Sequence, residues 1–413
     1  MWRLGFFFHE IAFGLLSVFI PLYVIGFQDA GILGGPLVAL GIMTSAAVFC
    51  SIPASFLWGW LCDATRHYKI FIFLSFASTA IILFLMTMPF AQNIIAFVVL
   101  YVIMQVLHVS HEAPKNVLIA EHYSRDQWEK SYGFYEGLTE IGFIIGLIIG
   151  FGLSVGMFSF AAGFSAFELA TFTLYLCSGL SVVALIISII LIADPLLIFE
   201  RRLVGIERNI DFTCRGVDAA SRVLSGGRWD GSLKQDNFKV FAVAIVMFAL
   251  ATSIFFTPLP VFLSQGLQLP DSMVYVAYIF NSIGATFGYF YISGRARNMD
   301  IRKQMPRFVL LRSLLIFSLI GVIQLVLFPT IMTFVVLVCI GFAYAMYYIM
   351  MISISMELIP QGKSGLFDGL VGLGTAVGSF LGPYLADTYQ YIPTFAVAAV
   401  LFLLAFIAIK LAT

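Results

Sequence analysis

Long apolar segments follow one another along almost the whole chain, separated by short connections rich in glycine, proline or polar residues. Each segment is long enough to cross a bilayer, because a membrane-spanning helix needs about 20 apolar residues. A transmembrane barrel would instead show alternating segments of about ten residues. The pattern predicts an all-α membrane protein with twelve transmembrane helices in two six-helix bundles. The predicted spans, numbered 1 to 12, are 4–27, 33–60, 69–89, 92–118, 131–156, 167–193, 238–264, 271–293, 306–328, 330–357, 363–386 and 390–411.

The composition is that of a protein that folds in lipid. Of the 413 residues, 61% are hydrophobic and 11% are charged, whereas about a quarter of a soluble domain is charged. The 22 basic and 22 acidic residues give a formal net charge of +0. These values exclude a soluble enzyme, a nucleic-acid-binding protein driven by net charge and a disordered scaffold. We therefore expect a lipid bilayer, and no nucleic acid, around this chain.

The first apolar segment is expected to remain in the protein as span 1. It is longer than the apolar core of a signal peptide, it contains His9 and Glu10, and it lacks a small-x-small cleavage site. None of the five cysteines lies in a segment predicted to be outside the cell, so we expect no disulfide framework.

The distribution of basic residues predicts the orientation of the chain. If the N-terminus is cytoplasmic, the six predicted outer connections contain no Lys or Arg, and all 22 basic residues lie on or near the inner side. Cytoplasmic loops of membrane proteins carry just such an excess of Lys and Arg. We expect a multi-pass protein of the cell membrane with both termini in the cytoplasm.

The long segment 194–237 divides the chain. It carries seven basic and seven acidic residues, and its apolar residues recur at helical spacing. This pattern predicts an amphipathic linker helix against the inner membrane face. The linker would join an N-terminal six-helix bundle, residues 1–193, to a C-terminal six-helix bundle, residues 238–413. A binding site for a regulatory partner is an alternative interpretation of the segment.

An internal repeat relates the two halves. Residues 133–150 and 365–382 align without gaps, with five glycines and one leucine identical, and Glu136 aligns with Asp368. Because both halves contain six spans, the repeat has the same topology twice, with an axis along the membrane normal. Glycine at every fourth position forms a smooth stripe that lets a neighbouring helix approach closely. Static packing and sliding of spans 5 and 11 during transport both fit this stripe.

The connection after span 2 reads Gly59-Trp60-Leu61-Cys62-Asp63 and continues to the basic residues Arg66 and Lys69. With twelve spans arranged as six plus six, this loop resembles that of the major facilitator superfamily, although Arg66 stands where the family has a glycine. The resemblance implies alternating access, in which two bundles rock around one central site.

The resemblance also implies an inner gate. Asp63 would lie near the start of span 11 when the inner side is closed, where unpaired N–H groups favour a carboxylate. The ends of spans 4 and 10 resemble the family's pairs of an acid followed by a base. The residues expected in this gate are Asp63, Arg66, Glu121, Arg125, Glu357, Lys363 and Asp368.

Ionisable residues inside the predicted spans are candidates for function, because charges in hydrocarbon are unfavourable. Those of the first half lie at similar depths in spans 1, 4 and 5, and we expect them to form a proton relay, with Glu10 and Glu140 first, then Glu112 and His111. A fixed charge network that includes Lys115, and a metal site, are the alternatives, although no His-x-x-x-His pair is present. The full set is His9, Glu10, His108, His111, Glu112, Glu136 and Glu140.

The predicted spans of the second half contain almost no charge, and we expect Arg312, Glu357 and Asp368 to lie near inner helix ends. Their aromatic residues fit a cavity for an apolar or aromatic solute, and they equally fit core or lipid-facing positions. The residues expected to line the substrate cavity are Gln105, Phe255, Phe256, Asn281, Tyr344, Tyr347 and Tyr348.

The sequence as a whole predicts a secondary transporter that moves a small organic solute by alternating access and is coupled to protons. An uncoupled facilitator and a drug/proton antiporter are alternatives. A receptor or enzyme embedded in the membrane belongs to a different class, but the chain has no phosphate-binding loop, nucleophile elbow or zinc-protease motif. We expect a monomer without cofactor or bound metal.

Overall fold

The computed structural model describes residues 2–65, 67–122, 128–158, 164–192, 238–295, 300–325, 329–358 and 365–412. Throughout these ranges the regular structure is helical, and no strand occurs in them. The predicted amphipathic linker, 194–237, lies outside the described residues. Among the cysteines that fall within them, Cys50, Cys177 and Cys339 are free thiols.

Twelve helices are long and apolar enough to cross a membrane, which confirms the predicted all-α fold. We call them spans 1 to 12: Arg3–Ile25, Pro36–Cys62, Tyr68–Leu85, Ile94–Ile119, Lys130–Ser154, Ala166–Leu191, Lys239–Gly266, Asp271–Arg295, Ile301–Gln324, Thr330–Ser355, Phe367–Tyr389 and Tyr391–Ala412. Some helices are longer than their spans, namely Pro36–Thr65, Trp128–Ser154, Ile301–Leu325, Pro329–Leu358 and Gly365–Tyr389.

Span 9 begins five residues before its predicted start. The prediction took Pro306 as the first residue of the helix, but the helix starts at Ile301 and continues through Pro306. Asp300 precedes the first turn, and its carboxylate accepts a hydrogen bond from the backbone N–H of Lys303 at 3.3 Å, as an N-terminal cap does. At 1.5 Å per residue, the earlier start places Arg312 about 16 Å from the beginning of the helix, rather than near its end.

Span 4 also begins at a well-capped end and then changes its winding. The Asn93 side chain accepts hydrogen bonds from the backbone N–H groups of Ile95 and Ala96, at 2.9 and 3.3 Å. The regular helix gives way to a short 3₁₀ turn, Val109–His111, and resumes at Glu112. This turn lies in the part of span 4 that carries the predicted histidines.

The two halves of the molecule repeat one packing plan. In the first bundle, spans 1–6, span 1 packs on spans 5 and 6, span 2 packs on span 4, and span 3 packs on spans 4 and 6. In the second bundle, spans 7–12, span 7 packs on spans 11 and 12, span 8 packs on span 10, and span 9 packs on spans 10 and 12. Each pair of the first bundle thus recurs six spans later. Between the bundles, span 5 contacts span 8 and span 2 contacts span 11.

The repeated glycines occupy two kinds of contact. A Cβ atom at Gly146 would overlap the backbone of Ile11 in span 1, and one at Gly378, its partner in the repeat, would overlap the backbone of Leu250 in span 7. These glycines are required for close packing inside each bundle.

Other glycines of the same repeat face the opposite bundle. Gly137 lies against the Phe290 ring of span 8, and its partner Gly369 lies against the Phe56 ring of span 2. The two interpretations of the stripe therefore apply to different positions, because only the second group is placed where the bundles could move past each other.

Candidate functional site

Three histidines meet inside the first bundle. The Nε2 atom of His9 in span 1 lies 3.2 Å from Nδ1 of His108 in span 4. The Ser75 hydroxyl of span 3 donates to the carbonyl of His108 at 2.8 Å and lies 3.0 Å from Nδ1 of His111. His9 and His111 are buried, and the ring of Phe13 stacks on His108 with ring centroids 4.3 Å apart. Polar groups of spans 1, 3 and 4 thus form one connected network.

A charged pair continues this network along span 4. The Nε2 atom of His111 lies 3.3 Å from a carboxylate oxygen of Glu112, and Glu112 forms an ion pair with Lys115. Residues three and four apart share one face of a helix, which is why the segment from His108 to Lys115 presents these groups together. The Lys115 side chain is 8% exposed, whereas that of Glu112 is 41% exposed. Glu112 therefore connects the buried network to accessible space.

Two further carboxylates, Glu10 and Glu136, are electrostatic neighbours of Lys115, and Glu140 is a neighbour of Glu136. Glu10 is an electrostatic neighbour of Glu136, Glu140, Lys115 and Glu112. His9 and Glu10 are adjacent in the chain yet face different surroundings, since His9 points to the histidines and Glu10 to the acids of span 5. The histidines and Glu112 are linked by direct contacts, and Glu10, Glu136 and Glu140 are their electrostatic neighbours. We call these seven predicted proton-coupling residues the relay cluster.

Two groups of the second bundle face the relay cluster. The Ser282 hydroxyl of span 8 is a hydrogen-bonding neighbour of the Glu140 carboxylate. Asp368 of span 11 is exposed and is an electrostatic neighbour of Glu112 and Lys115. Sequence analysis placed Asp368 in the inner gate and missed Ser282, because a single serine in an apolar helix gives no distinctive pattern. Charged groups of the first bundle therefore interact electrostatically with Asp368 of the second bundle.

The rest of the predicted gate stays a prediction. Arg66, Arg125 and Lys363 lie outside the described residues, and the side chains of Asp63, Glu121 and Glu357 are not described either.

A cavity of about 460 Å³ lies between the bundles. Its lining comes from spans 1, 2, 4, 7, 8 and 11 and includes two predicted residues, Gln105 and Phe256. Sequence analysis missed the hydroxyl groups that share this lining, because such residues are scattered singly along several apolar helices. These are Ser17, Thr44, Ser51, Tyr101, Thr257, Tyr278 and Ser379.

The other predicted cavity residues lie in the second bundle away from this lining. Phe255 and Tyr347 are buried in its core, where the Tyr347 ring stacks on Phe248 with centroids 3.5 Å apart. Tyr344 and Tyr348 stack on each other and are half-buried. Asn281 is half-buried, and its backbone carbonyl packs closely on Gly341.

Arg312 of span 9 is the largest fully buried side chain of the described residues, with 1% exposure. Its guanidinium carbon lies between 4.8 and 5.4 Å from the centroids of four aromatic rings, and no described residue accepts a hydrogen bond from its Nε, Nη1 or Nη2 atoms. The rings are those of Phe248, Phe256, Tyr344 and Phe402. Cation–π contacts of this kind contribute about 0.5–2 kcal/mol each.

In the part of the chain that the structure describes, no group of three or more His, Cys, Asp or Glu side chains is arranged to hold a metal ion. The described structure has a cluster of ionisable groups inside the first bundle and a cavity lined by both bundles.

Comparison with known proteins agrees with this architecture. A sequence model of the Major Facilitator Superfamily matches residues 4–369. The chain therefore belongs to the major facilitator superfamily, and it is a transporter rather than an enzyme. No curated protein matches the chain in sequence.

Three solved structures share the fold over nearly the whole chain. The xylose transporter XylE from E. coli, in a partially occluded inward-open conformation, is 13% identical in sequence and has a TM-score of 0.67. The match covers 98% of this chain and 97% of the XylE chain. The human organic anion transporter MFSD10 (TETRAN) has 14% identity and a TM-score of 0.66, and the match covers 99% of this chain and 97% of the MFSD10 chain. A mutant of the nucleoside transporter NupG has 14% identity and a TM-score of 0.67, with 100% of each chain covered.

Proposed function

We propose that this protein is a proton-coupled secondary transporter that moves a small organic solute by alternating access. The observation that carries the proposal is the relay cluster: ionisable groups of spans 1, 4 and 5 are connected to one another and adjoin the contact between the bundles. Charged groups inside membrane spans are energetically unfavourable, so they occur mostly where they serve a function. Proton relays are one such function.

The contact between Glu140 and Ser282 suggests how proton binding acts on the bundles. The Ser282 hydroxyl of the second bundle is a hydrogen-bonding neighbour of the carboxylate of the first. A proton on Glu140 removes the negative charge that strengthens such a hydrogen bond. Binding and release of a proton would then change the stability of one contact between the bundles. Gly137 and Gly369, which face the opposite bundle, are the positions where we expect the helices to slide.

The transported solute is proposed to bind in the cavity between the bundles. A volume of about 460 Å³ with apolar walls and several hydroxyl groups suits a small organic molecule with a few hydrogen-bonding groups. The three similar structures are of transporters for xylose, organic anions and nucleosides, all of which are small organic solutes. A shared fold at such low identity does not choose among these classes.

We further propose that the protein acts as a monomer in the cell membrane with cytoplasmic termini, and that 194–237 links bundles 1–193 and 238–413. The support for the orientation is the absence of Lys and Arg from the six predicted outer connections.

An uncoupled facilitator is the second candidate function. The observation that favours it is the ion pair between Glu112 and Lys115, together with the contact of Glu112 with His111. Groups that are already paired can serve as a fixed charge network that packs the bundle, without titrating during transport.

Proteoliposomes with an imposed pH gradient test the coupling. A panel of radiolabelled sugars, nucleosides and organic acids first identifies a solute whose flux the wild-type protein supports. We expect Glu10→Gln and Glu140→Gln to abolish accumulation driven by the gradient and to leave exchange of labelled for unlabelled solute largely intact. Asp387→Asn, at an exposed carboxylate near the end of span 11, is the matched control. Accumulation that survives both glutamate substitutions would reject the relay. If the wild-type protein shows exchange but no accumulation driven by the gradient, the uncoupled facilitator is established instead.

A further inference from the structure

The guanidinium group of Arg312 has hydrogen-bond donors for which no described residue is an acceptor. Its three guanidinium nitrogens are buried and lack hydrogen-bond partners among the described residues. Its electrostatic neighbours among the described residues are the hydroxyls of Tyr289, Tyr344 and Tyr347, and no described carboxylate accepts a hydrogen bond from it. The Tyr347 hydroxyl is itself buried without a hydrogen-bond partner in the described structure. A cation and a neighbouring donor are thus both unsatisfied at the same place.

The four aromatic side chains that enclose Arg312 differ in burial. Phe248 and Phe402 are buried in the core of the second bundle, whereas Phe256 and Tyr344 are half-buried. The Phe256 ring lies over the guanidinium, at 5.4 Å, and also lines the cavity between the bundles. One aromatic side chain therefore separates the cavity from Arg312.

The chemistry of the guanidinium group defines what it would bind. It is planar, keeps its charge at all physiological pH values, and presents a fork of N–H donors that matches a carboxylate with two parallel hydrogen bonds. An aromatic wall favours a ligand whose body is apolar or aromatic. The cavity lining contains no charged residue, and Phe256, which belongs to that lining, contacts the Arg312 guanidinium through its ring.

We propose that Arg312 is the anion-binding group of the transport site, and that it takes the carboxylate of a small organic acid whose apolar body lies in the cavity. Rotation of the Phe256 side chain exposes the guanidinium to the cavity, and the Tyr347 hydroxyl donates a further hydrogen bond to the carboxylate. The proposal names the substrate class for the proposed transporter and rests on that function. It does not require proton coupling.

Thermal unfolding of the purified full-length protein in detergent tests the site without any gradient. The probes are benzoate, phenylacetate and indole-3-acetate, each compared with its neutral amide, and phenylphosphonate. We expect at least one carboxylate to raise the melting temperature by about 2 °C or more at saturating concentration, while its amide has little effect. A guanidinium fork also binds tetrahedral oxyanions, so phenylphosphonate tests whether the site prefers a carboxylate, as the proposal expects.

Substitutions then locate the effect. We expect Arg312→Met to weaken binding of the stabilising carboxylate by about 10- to 100-fold, because a charge-assisted hydrogen-bonding partner is lost. Arg312→Lys should retain part of the affinity, since it keeps the charge and loses the fork. Arg307→Met, at an exposed arginine on the same helix, is the matched control and should bind as the wild type does.

Several results would overturn the inference. They are equal shifts by a carboxylate and its amide, no shift by any of the three carboxylates, a larger shift by phenylphosphonate, or an undiminished shift in Arg312→Met. The comparison of acid with amide on the wild-type protein needs no variant, so it holds even if Arg312→Met fails to fold. Loss of gradient-driven flux in Glu10→Gln with no carboxylate binding would retain the proton-coupled transporter and reject the anion site alone.

Discussion

In the first bundle, the buried ammonium group of Lys115 lies beside the carboxylate of Glu112, and His111 touches the same carboxylate. In the second bundle, the buried guanidinium of Arg312 lies among aromatic rings, and no described carboxylate accepts a hydrogen bond from it. The two bundles share one packing plan of helices, so the helix arrangement itself does not dictate how a buried charge is stabilised. Side-chain composition decides that, separately in each half.

The two buried cations are stabilised by different interactions, cation–π contacts at Arg312 and an ion pair at Lys115. Placing an arginine at the centre of a membrane helix costs about 2.5–3.5 kcal/mol on insertion scales. Four ring contacts at about 0.5–2 kcal/mol each are large enough to recover this cost. The rings therefore allow the charge of Arg312 to be buried without a carboxylate partner. In the first bundle, by contrast, each partner of an ion pair depends on the other, and removal of one leaves the other uncompensated.

Substitution of Glu112 by Gln should give the largest effect. It leaves Lys115, at 8% exposure, without its counter-charge, and we expect a loss of about 2–3 kcal/mol in the free energy of unfolding. The loss is below that of fully buried pairs because the Glu112 side chain is 41% exposed and partly screened by solvent. Denaturant titration in detergent micelles measures it.

The double variant Glu112→Gln/Lys115→Met is the control for this interpretation. It removes both charges, and we expect it to recover more than half of the lost stability. A double variant as unstable as the single one would mean that the pair is not what holds this part of the bundle together.

Substitution of Ser75 by Ala should have an intermediate effect. The Ser75 hydroxyl bonds to the His108 carbonyl at 2.8 Å and lies 3.0 Å from Nδ1 of His111. We expect a loss of about 1 kcal/mol, the usual value for a buried hydrogen bond between neutral groups. Ser318→Ala is the comparison in the second bundle, because that hydroxyl is exposed and bonds only within its own helix, to Leu315. Equal melting temperatures for the two variants would show that the histidine network adds no stability.

Substitution of Arg312 by Met should have the smallest effect on the unliganded protein. The cation–π contacts that are lost and the cost of burying the charge are of similar size and act in opposite directions, so we expect a change of less than about 1 kcal/mol in either direction. A loss above about 2 kcal/mol would show that Arg312 stabilises the bundle as strongly as an ion pair. The same denaturant titration, with Arg307→Met as the control, decides between these outcomes.

The relay cluster shows how far prediction from sequence reached. Charged and imidazole groups inside apolar segments identified its members, since such groups are rare there. Their partners were not predictable. His9 and Glu10 follow each other in the chain, but the rotation of span 1 directs His9 to His108 and Glu10 to the acids of span 5. Ser282, which meets Glu140 from the other bundle, lacks any signal in its own segment.

For Arg312, by contrast, the sequence pattern predicted the wrong position along the helix. Pro306 indicated a helix start in the sequence, which placed Arg312 near a helix end. The cap at Asp300 starts the helix earlier and moves this arginine to the middle of the span. A proline is tolerated near the start of a helix, so it does not by itself define the first residue.

The sequence by itself determined the twelve spans and the duplication, because transfer of a segment into lipid depends on the composition of that segment alone. It also determined which glycines form the repeated stripes. The tertiary structure decided which stripe residues face their own bundle and which face the other, which hydroxyls line the cavity, and that Arg312 has aromatic rings in place of an acid. These properties depend on how each helix is rotated against its neighbours, and that rotation is set by the packing of all the helices together.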